Sequence, residues 1–208
     1  MKTLSTISCA AALLVCSLGA QAQSSRSLPT GGTSVSLYGI AATELVHASN
    51  FNDGTHIGAS NRLENSKVTA SRLGFIGAED LGGGLAAVFN VEMGYALDTG
   101  AQSNASATFN RGSFVGLRGG FGTVTLGRQW NVEDDVLGRY FIFGGYAAYQ
   151  FTEFAAISDT VANSVKYVSP SLGGVTVRGL YGLGEGTGAH TSELAVNYAP
   201  GGPLELGA

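Results

Sequence analysis

Residues 85–95 read LAAVFNVEMGY, and every second side chain of this stretch is apolar. Leu85, Phe89 and Val91 fall on one face of an extended chain, whereas Asn90 and Glu92 fall on the other. Strict alternation of this kind is the period of a β-strand whose two faces meet different surroundings. The stretch therefore predicts a strand that separates an apolar environment from a polar one.

The same alternation recurs along the chain from Ser34 onward. We count nine strands or strand beginnings and find no convincing helical period, which predicts an all-β, antiparallel fold. The alternation also indicates which charged side chains share the polar faces of these strands. They are Glu44, Arg72, Glu92, Lys166 and Arg178.

The connections between the predicted strands alternate in length. Short turns rich in Gly and Pro separate some strand pairs, and longer segments separate the others. Short turns at one rim and long loops at the other are typical of bacterial outer-membrane barrels, with the short turns on the periplasmic side. The short turns fall at 80–84, 119–122, 170–174 and 200–203, and the longer loops at about 49–65, 98–108, 130–162 and 184–190.

The composition favours a protein whose outer surface is apolar. Charged residues make up 12% of the chain, about half the usual share of a soluble domain. The 32 glycines among 208 residues are about twice the usual share. Because a β-barrel in lipid presents an apolar outer surface and can turn its polar groups inward, the sequence predicts an antiparallel transmembrane β-barrel.

The first 22 residues have the pattern of a secretory signal peptide. Lys2 precedes an apolar run from Ile7 to Leu18, and Ala20-Gln21-Ala22 is a small-x-small cleavage site. We therefore expect a mature chain of residues 23–208 without cysteine, because Cys9 and Cys16 both lie in the signal. Ten basic and fifteen acidic residues then remain, and this net charge of 10 − 15 = −5 argues against a nucleic-acid partner.

Several strings resemble, in the right order, the strands of the Gram-negative general porins of the betaproteobacterial type. They are SVSLYG (34–39), SRLGF (71–75), EDLGGGL (79–85), FNR (109–111), FVGL (114–117), FGTVTLGRQ (121–129) and NSVKY (163–167). The resemblance implies an outer-membrane barrel of about sixteen strands, usually a homotrimer set among lipid and lipopolysaccharide. It also implies a diffusion channel for small hydrophilic solutes and ions, with no cofactor, in which the loop at 130–162 folds into the lumen.

The resemblance further implies a constriction with charges on opposing sides. The basic side would be Arg72, Arg111 and Arg128, and the acidic side Glu133, Asp134 and Asp135. Alternation independently places Arg72 in the lumen, opposite Leu73 and Phe75, but it does not decide for Arg111. Arg128 shares parity with Leu126 and would face outward unless Gly127 carries a bulge or the strand ends there. The three acids fit a solvated surface patch equally well.

Two other functions fit the pattern of strands. One is a small barrel of about eight strands acting as an anchor or adhesin, and the other is a soluble β-sandwich that binds a sugar. Because a porin of this family needs about twice as much chain, we expect an incomplete barrel here, with eight or nine strands present. An odd number of strands cannot close an ordinary bacterial barrel, so we predict that the chain alone forms no working pore.

The sequence gives no sign of catalysis or of a metal site. His47, His56 and His190 lie far apart and fit no metal-ligand spacing. No nucleophile elbow or phosphate-binding loop is present. We therefore expect the chain not to be an enzyme and to hold neither a metal nor a cofactor.

Overall fold

The structure is a computed structural model. It describes residues 27–52, 54–55, 57–66, 69–137, 160–186, 190–201 and 206–207. The predicted signal peptide, at 1–22, lies outside these residues, and so do residues 138–159 of the predicted third loop.

The described residues form antiparallel strands and one short helix. In chain order the elements are β1 (Ser34–Ile40), β2 (Thr43–Asn52), β3 (Ile57–Asn65), β4 (Arg72–Gly82), β5 (Leu85–Gly94), β6 (Gly112–Gly119), β7 (Gly122–Trp130), α1 (Val132–Leu137), β8 (Thr160–Val168), β9 (Val175–Gly182), β10 (Thr191–Tyr198) and β11 (Leu206–Gly207). Nine of the described strands make one sheet in the order β1-β4-β5-β6-β7-β8-β9-β10-β11, and β2 pairs with β3 alone. No helix in the part of the chain that the structure describes is long and apolar enough to cross a membrane.

The nine-stranded sheet has two different faces, as the alternation predicts. In β5, Val88, Asn90 and Glu92 are buried, whereas Phe89 and Val91 between them are half-buried. We call the side that carries Asn90 and Glu92 the polar face and the opposite side the apolar face. Large side chains exposed on the apolar face include Val35, Leu37, Leu73, Phe75, Val115, Leu117, Leu126, Leu194 and Val196.

The alternation of turn lengths also agrees with the sequence-based prediction. β4 and β5 are joined through Gly83 and Gly84, and β6 and β7 through Gly120 and Phe121. Gly83 and Gly84 have φ values of 61° and 78°, which only glycine adopts without steric cost. At the opposite end of the sheet, residues 95–111 connect β5 to β6 and residues 131–159 connect β7 to β8.

The prediction of a loop at 49–65 is wrong, because most of this segment belongs to a β-hairpin. β2 and β3 pair in register from Thr43 opposite Asn65, with a bulge between Ala48 and Phe51. The hairpin meets the main sheet at Ser71, whose hydroxyl donates to the Ala42 carbonyl at 2.9 Å and accepts from the Ala42 amide at 3.0 Å. Although β2 and β3 lie between them in the sequence, β1 pairs directly with β4 in the main sheet.

Gly77 on the apolar face leaves room for the ring of Phe89, its cross-strand partner. A Cβ at this position would collide with the ring and would lie 2.8 Å from the Ser34 carbonyl oxygen. We therefore expect Gly77→Val to destabilise the folded chain by about 1–3 kcal/mol, because one of the two neighbours must move. Urea unfolding of the protein folded in detergent measures the difference. Ala87→Val on the same face is the control, and an equal loss in both variants would contradict the explanation.

Candidate functional site

A hydrogen-bonded network on the polar face joins β1, β5 and the start of β6. Glu92, which is 3% exposed, accepts a hydrogen bond from the Tyr38 hydroxyl at 2.8 Å through Oε2. Its Oε1 accepts from Nε of Arg111 at 2.6 Å. The side-chain amide of Asn90 donates to the Tyr38 oxygen at 2.7 Å. Both oxygens of the buried carboxylate are therefore satisfied, one of them by a charge.

Glycines in register explain how Tyr38 reaches Glu92 across an intervening strand. Tyr38 pairs with Gly74, Gly74 with Glu92, and Glu92 with Gly112, so the four residues form one row across the sheet. A Cβ at Gly74 would lie 2.7 Å from Cζ of Tyr38. The missing side chain lets the phenol ring lie flat over β4, which brings two polar groups 54 residues apart into contact.

Arg111 is oriented by two contacts at the loop end of the sheet. Its guanidinium carbon lies 5.0 Å from the centre of the Trp130 ring, within the range of a cation–π interaction. Its Nε donates a hydrogen bond to Oε1 of Glu92. Among the described residues, Nη1 and Nη2 make no hydrogen bond, and the side chain keeps 14% of its surface exposed. The planar outer edge of the guanidinium is therefore held at a fixed angle.

Arg128 lies at an irregularity in β7. Gly127 has a φ of 135°, and the pairing with β8 shifts between Gly127 and Gln129, so the strand has the bulge that would release Arg128 from simple alternation. Arg128 donates through Nε to the Asn110 carbonyl and through Nη2 to the Thr160 hydroxyl, both at 2.7 Å. Its orientation toward the lumen stays a prediction.

The short helix α1 packs against the polar face of β9 and β10. Val132 and Val136 are both 1% exposed and form an apolar cluster with Leu180 and Ala195. Asn131 caps the helix, since its side-chain oxygen accepts from the Asp134 amide at 2.7 Å. The beginning of the long connection after β7 is thus fixed against the sheet.

Two charged side chains, one on β8 and one on β10, hold α1 against the sheet. Glu193 on β10 accepts a hydrogen bond from the Val132 amide at 2.7 Å, where a carboxylate is favoured by the start of a helix. Lys166 on β8 forms an ion pair with Asp135 and donates to the Trp130 carbonyl at 3.0 Å. Asp135, from the predicted acidic side, is thus paired with Lys166, which was predicted to face the lumen. The other two predicted acids, Glu133 and Asp134, lie with it in the first turn of α1.

The other predicted residues fall in three places. Arg72 is half-buried on β4, in register with Gly94, and Arg178 is half-buried on β9, in register with Ala195. Both lie on the polar face. Glu44 lies on β2 opposite Glu64, outside the nine-stranded sheet.

Four polar-face residues that make buried contacts are not among the site residues predicted from the sequence. Tyr38, Asn90 and Glu193 are described above. Gln129, which is 2% exposed, donates to the Ser164 hydroxyl at 3.1 Å and accepts from the Thr125 hydroxyl. Their parity is visible in the sequence, but the contacts depend on strand register, which alternation alone does not give.

A sheet that exposes large apolar side chains on one face and hydrogen-bonds its charges on the other is the wall of a transmembrane β-barrel. The chain belongs to the Gram-negative porin family, whose sequence profile matches residues 8–208. The match confirms the predicted family and fold class and places the chain in the outer membrane of a Gram-negative cell.

Named relatives are outer-membrane proteins of betaproteobacteria. Major outer membrane protein P.IB of Neisseria meningitidis is 36% identical over 135 residues, which are 64% of this chain and 40% of that protein. Outer membrane porin protein 32 of Delftia acidovorans is 33% identical over 202 residues, which are 92% of this chain and 53% of that protein. The chain therefore spans about half the length, or less, of these relatives.

Solved structures show the same fold. The anion-selective porin from Comamonas acidovorans matches with a TM-score of 0.68 and 32% identity, over 83% of this chain and 55% of that one. A loop-deletion mutant of OmpT from Vibrio cholerae matches with a TM-score of 0.57 and 24% identity, a likeness of fold alone. These matches remove the soluble β-sandwich from consideration. In the described residues the sheet is open, since β1 at one end does not pair with β10 or β11 at the other, whereas a closed barrel of about eight strands has no free edge.

Proposed function

We propose that this chain forms part of the wall of a water-filled diffusion channel for small hydrophilic solutes and ions, and that it performs no catalysis. The observation that carries this proposal is the contrast between the two faces of the sheet. Leu126 on the apolar face is 51% exposed, whereas Lys166 and Glu92 on the polar face are 8% and 3% exposed. Exposed leucine suits hydrocarbon, and a charge there would cost about 2–4 kcal/mol at the middle of the membrane.

The position of α1 on the polar face supports a barrel with a wide interior. A barrel of about eight strands is just filled by its own side chains, whereas one of about sixteen leaves an aqueous channel. Because α1 lies on the polar face of β9 and β10, the barrel needs space inside for a helix as well as for solutes. We therefore propose that the connection at 130–162 narrows a large lumen.

The guanidinium of Arg111 is held in position to contact a solute in the channel. Glu92 and Trp130 fix its guanidinium, so it can present two N–H groups to an anion without losing further side-chain entropy. The similar protein from Comamonas acidovorans is described as anion-selective, and we propose anion contact at Arg111. The constriction roles of Arg72 and Arg128 on the basic side and of Glu133, Asp134 and Asp135 on the acidic side remain predictions. A homotrimer and contact with lipopolysaccharide remain predictions as well.

Spin labels on neighbouring residues of β5 test the assignment of the two faces. We expect labels at Phe89 and Val91 to collide with oxygen dissolved in the membrane, and a label at Asn90 to collide with a water-soluble nickel complex. Alternation in β5 requires this opposite behaviour at adjacent positions. Nickel contact at Phe89 and Val91 with oxygen contact at Asn90 would refute the channel wall.

Ion passage is a separate measurement. A planar-bilayer recording of the purified protein tests the sequence-based prediction that this chain forms no working pore by itself, which stable stepwise conductance would contradict. Anion contact at Arg111 is tested without conductance: iodide quenching of the Trp130 fluorescence is expected to be weaker in Arg111→Gln than in the natural chain, because the guanidinium lies 5.0 Å from the centre of the Trp130 ring.

A further inference from the structure

The segment that precedes β1 makes a contact far from β1 itself. The guanidinium of Arg118, near the end of β6, donates to the carbonyl oxygen of Pro29. In the order of the sheet, β6 is the third strand from β1, with β4 and β5 between them. The segment therefore does not simply continue the direction of β1.

Chain geometry shows which way the segment must run. Three strand spacings amount to about 14 Å, and the five residues from Ser34 back to Pro29 reach at most about 18 Å when extended. Because the Arg118 side chain itself spans part of this distance, a segment that leaves β1 obliquely toward β4 and β5 brings the Pro29 carbonyl within reach of the guanidinium. Thr33 still lies beside β4, since its hydroxyl oxygen accepts a hydrogen bond from the Asp80 amide at 3.2 Å, so the turn toward Arg118 comes before Thr33 in the chain.

The crossing takes place on the polar face. Asp80, Ala86 and Arg118 are register partners in one row. Arg118 has the parity of the buried residues Gly112 and Gly116 and is opposite in parity to the exposed Leu117. In a barrel, this face is the interior, and this row lies at the end with the short turns.

We propose that residues 27–33 form a strap across the interior side of the channel wall, anchored by Arg118, that narrows the mouth at the short-turn end. The proposal rests on the proposed function in that the polar face lines a channel. Leu28 and Pro29 are half-buried, whereas residues 30–33 are exposed, so the segment rests on the wall at Leu28 and Pro29. A charged donor to a carbonyl is a stronger tie than a neutral hydrogen bond, and the segment has no strand partner of its own in the described residues.

Cross-linking tests the strap in the exported protein, in a background without Cys9 and Cys16. Pro29→Cys is combined with Ala86→Cys, on the interior side, and treated with a short bis-maleimide. The matched control combines Pro29→Cys with Ala87→Cys, one residue along but on the apolar face. We expect the first pair to link and the control pair not to link. Equal yields from the two pairs would overturn the strap.

Variants of the anchor test the role of Arg118. Arg118→Leu is expected to lower the yield of the 29/86 link about tenfold, whereas Arg118→Lys, which keeps a charged donor, retains most of it. The reaction of Ala86→Cys alone with a charged thiosulfonate is expected to accelerate about tenfold in Arg118→Leu, because the strap no longer covers it. An unchanged yield and an unchanged rate in Arg118→Leu would refute the anchor.

These readouts do not depend on ion passage. A preferred 29/86 link together with nickel contact at Phe89 and Val91 would support the strap and count against the channel wall. Oxygen contact at Phe89 and Val91 with no preference for the 29/86 link over the 29/87 link would support the channel wall and overturn the strap.

Discussion

Glu92→Gln is expected to lower the free energy of unfolding by about 3 kcal/mol, because removing one partner of a buried ion pair leaves the other charge uncompensated. Arg111 would lose the carboxylate at 2.6 Å that neutralises it, while the amide oxygen could still accept from Tyr38. Trp130, the single tryptophan of the chain, lies against Arg111. Its fluorescence follows urea unfolding of the detergent-folded protein and reports the pair directly.

Two further variants separate the ion pair from general effects. Glu79→Gln removes an exposed carboxylate from β4, and its effect is expected to stay within about 0.5 kcal/mol. Arg111→Met combined with Glu92→Gln is expected to cost less than the sum of the two single changes, because no charge is then left alone. Strict additivity, or an effect of Glu92→Gln no larger than that of Glu79→Gln, would contradict the assigned role.

Val136→Asp is expected to detach α1 from the wall. Burial of Val132 and Val136 supplies about 1.5–3 kcal/mol each, and both are 1% exposed. A carboxylate at position 136 would have to be buried against Leu180 and Ala195 without a partner, which costs more than this docking provides. We therefore expect the helix to leave the polar face rather than bury the charge.

The reactivity of a cysteine under the helix measures this detachment. Ala195→Cys lies in the covered cluster, since Ala195 is 6% exposed, and its reaction with a water-soluble thiol reagent should accelerate about tenfold or more in Val136→Asp. Val136→Ile keeps an apolar side chain and should leave the rate nearly unchanged. If Val136→Asp reacts no faster than Val136→Ile, the cluster does not hold the helix.

The alternation of apolar and polar residues predicted the sheet and its two faces, because a period of two residues is a local property of an extended chain. The polar side chains at Glu92 and Lys166 could therefore be assigned without any knowledge of their partners. The partners of Glu92 could not be predicted, because Tyr38 contacts it only where the strand register places Tyr38, Gly74 and Glu92 in one row. Rows of this kind depend on strand register, which turn geometry and bulges determine.

Neither α1 nor the hairpin was predicted from the sequence, and the reasons differ. Six residues of helix are too few for a period of 3.6 to emerge, although Asn131 followed by acidic residues is an N-terminal helix signal that could have indicated it. The hairpin was assigned to a loop because its polar residues resemble those of a long connection. Arg128 shows the opposite case, in which a bulge at Gly127 was a stated condition and is present.

The hairpin of β2 and β3 gives the protein a permissive position for foreign sequence. Its strands pair with each other, and the β1–β4 ladder forms without them. An epitope or affinity tag inserted between Asn52 and Ile57 would lengthen only the tip of this hairpin, where insertions cost little. The same independence means that a change at the tip of the hairpin leaves the pairing of β1 with β4 untouched.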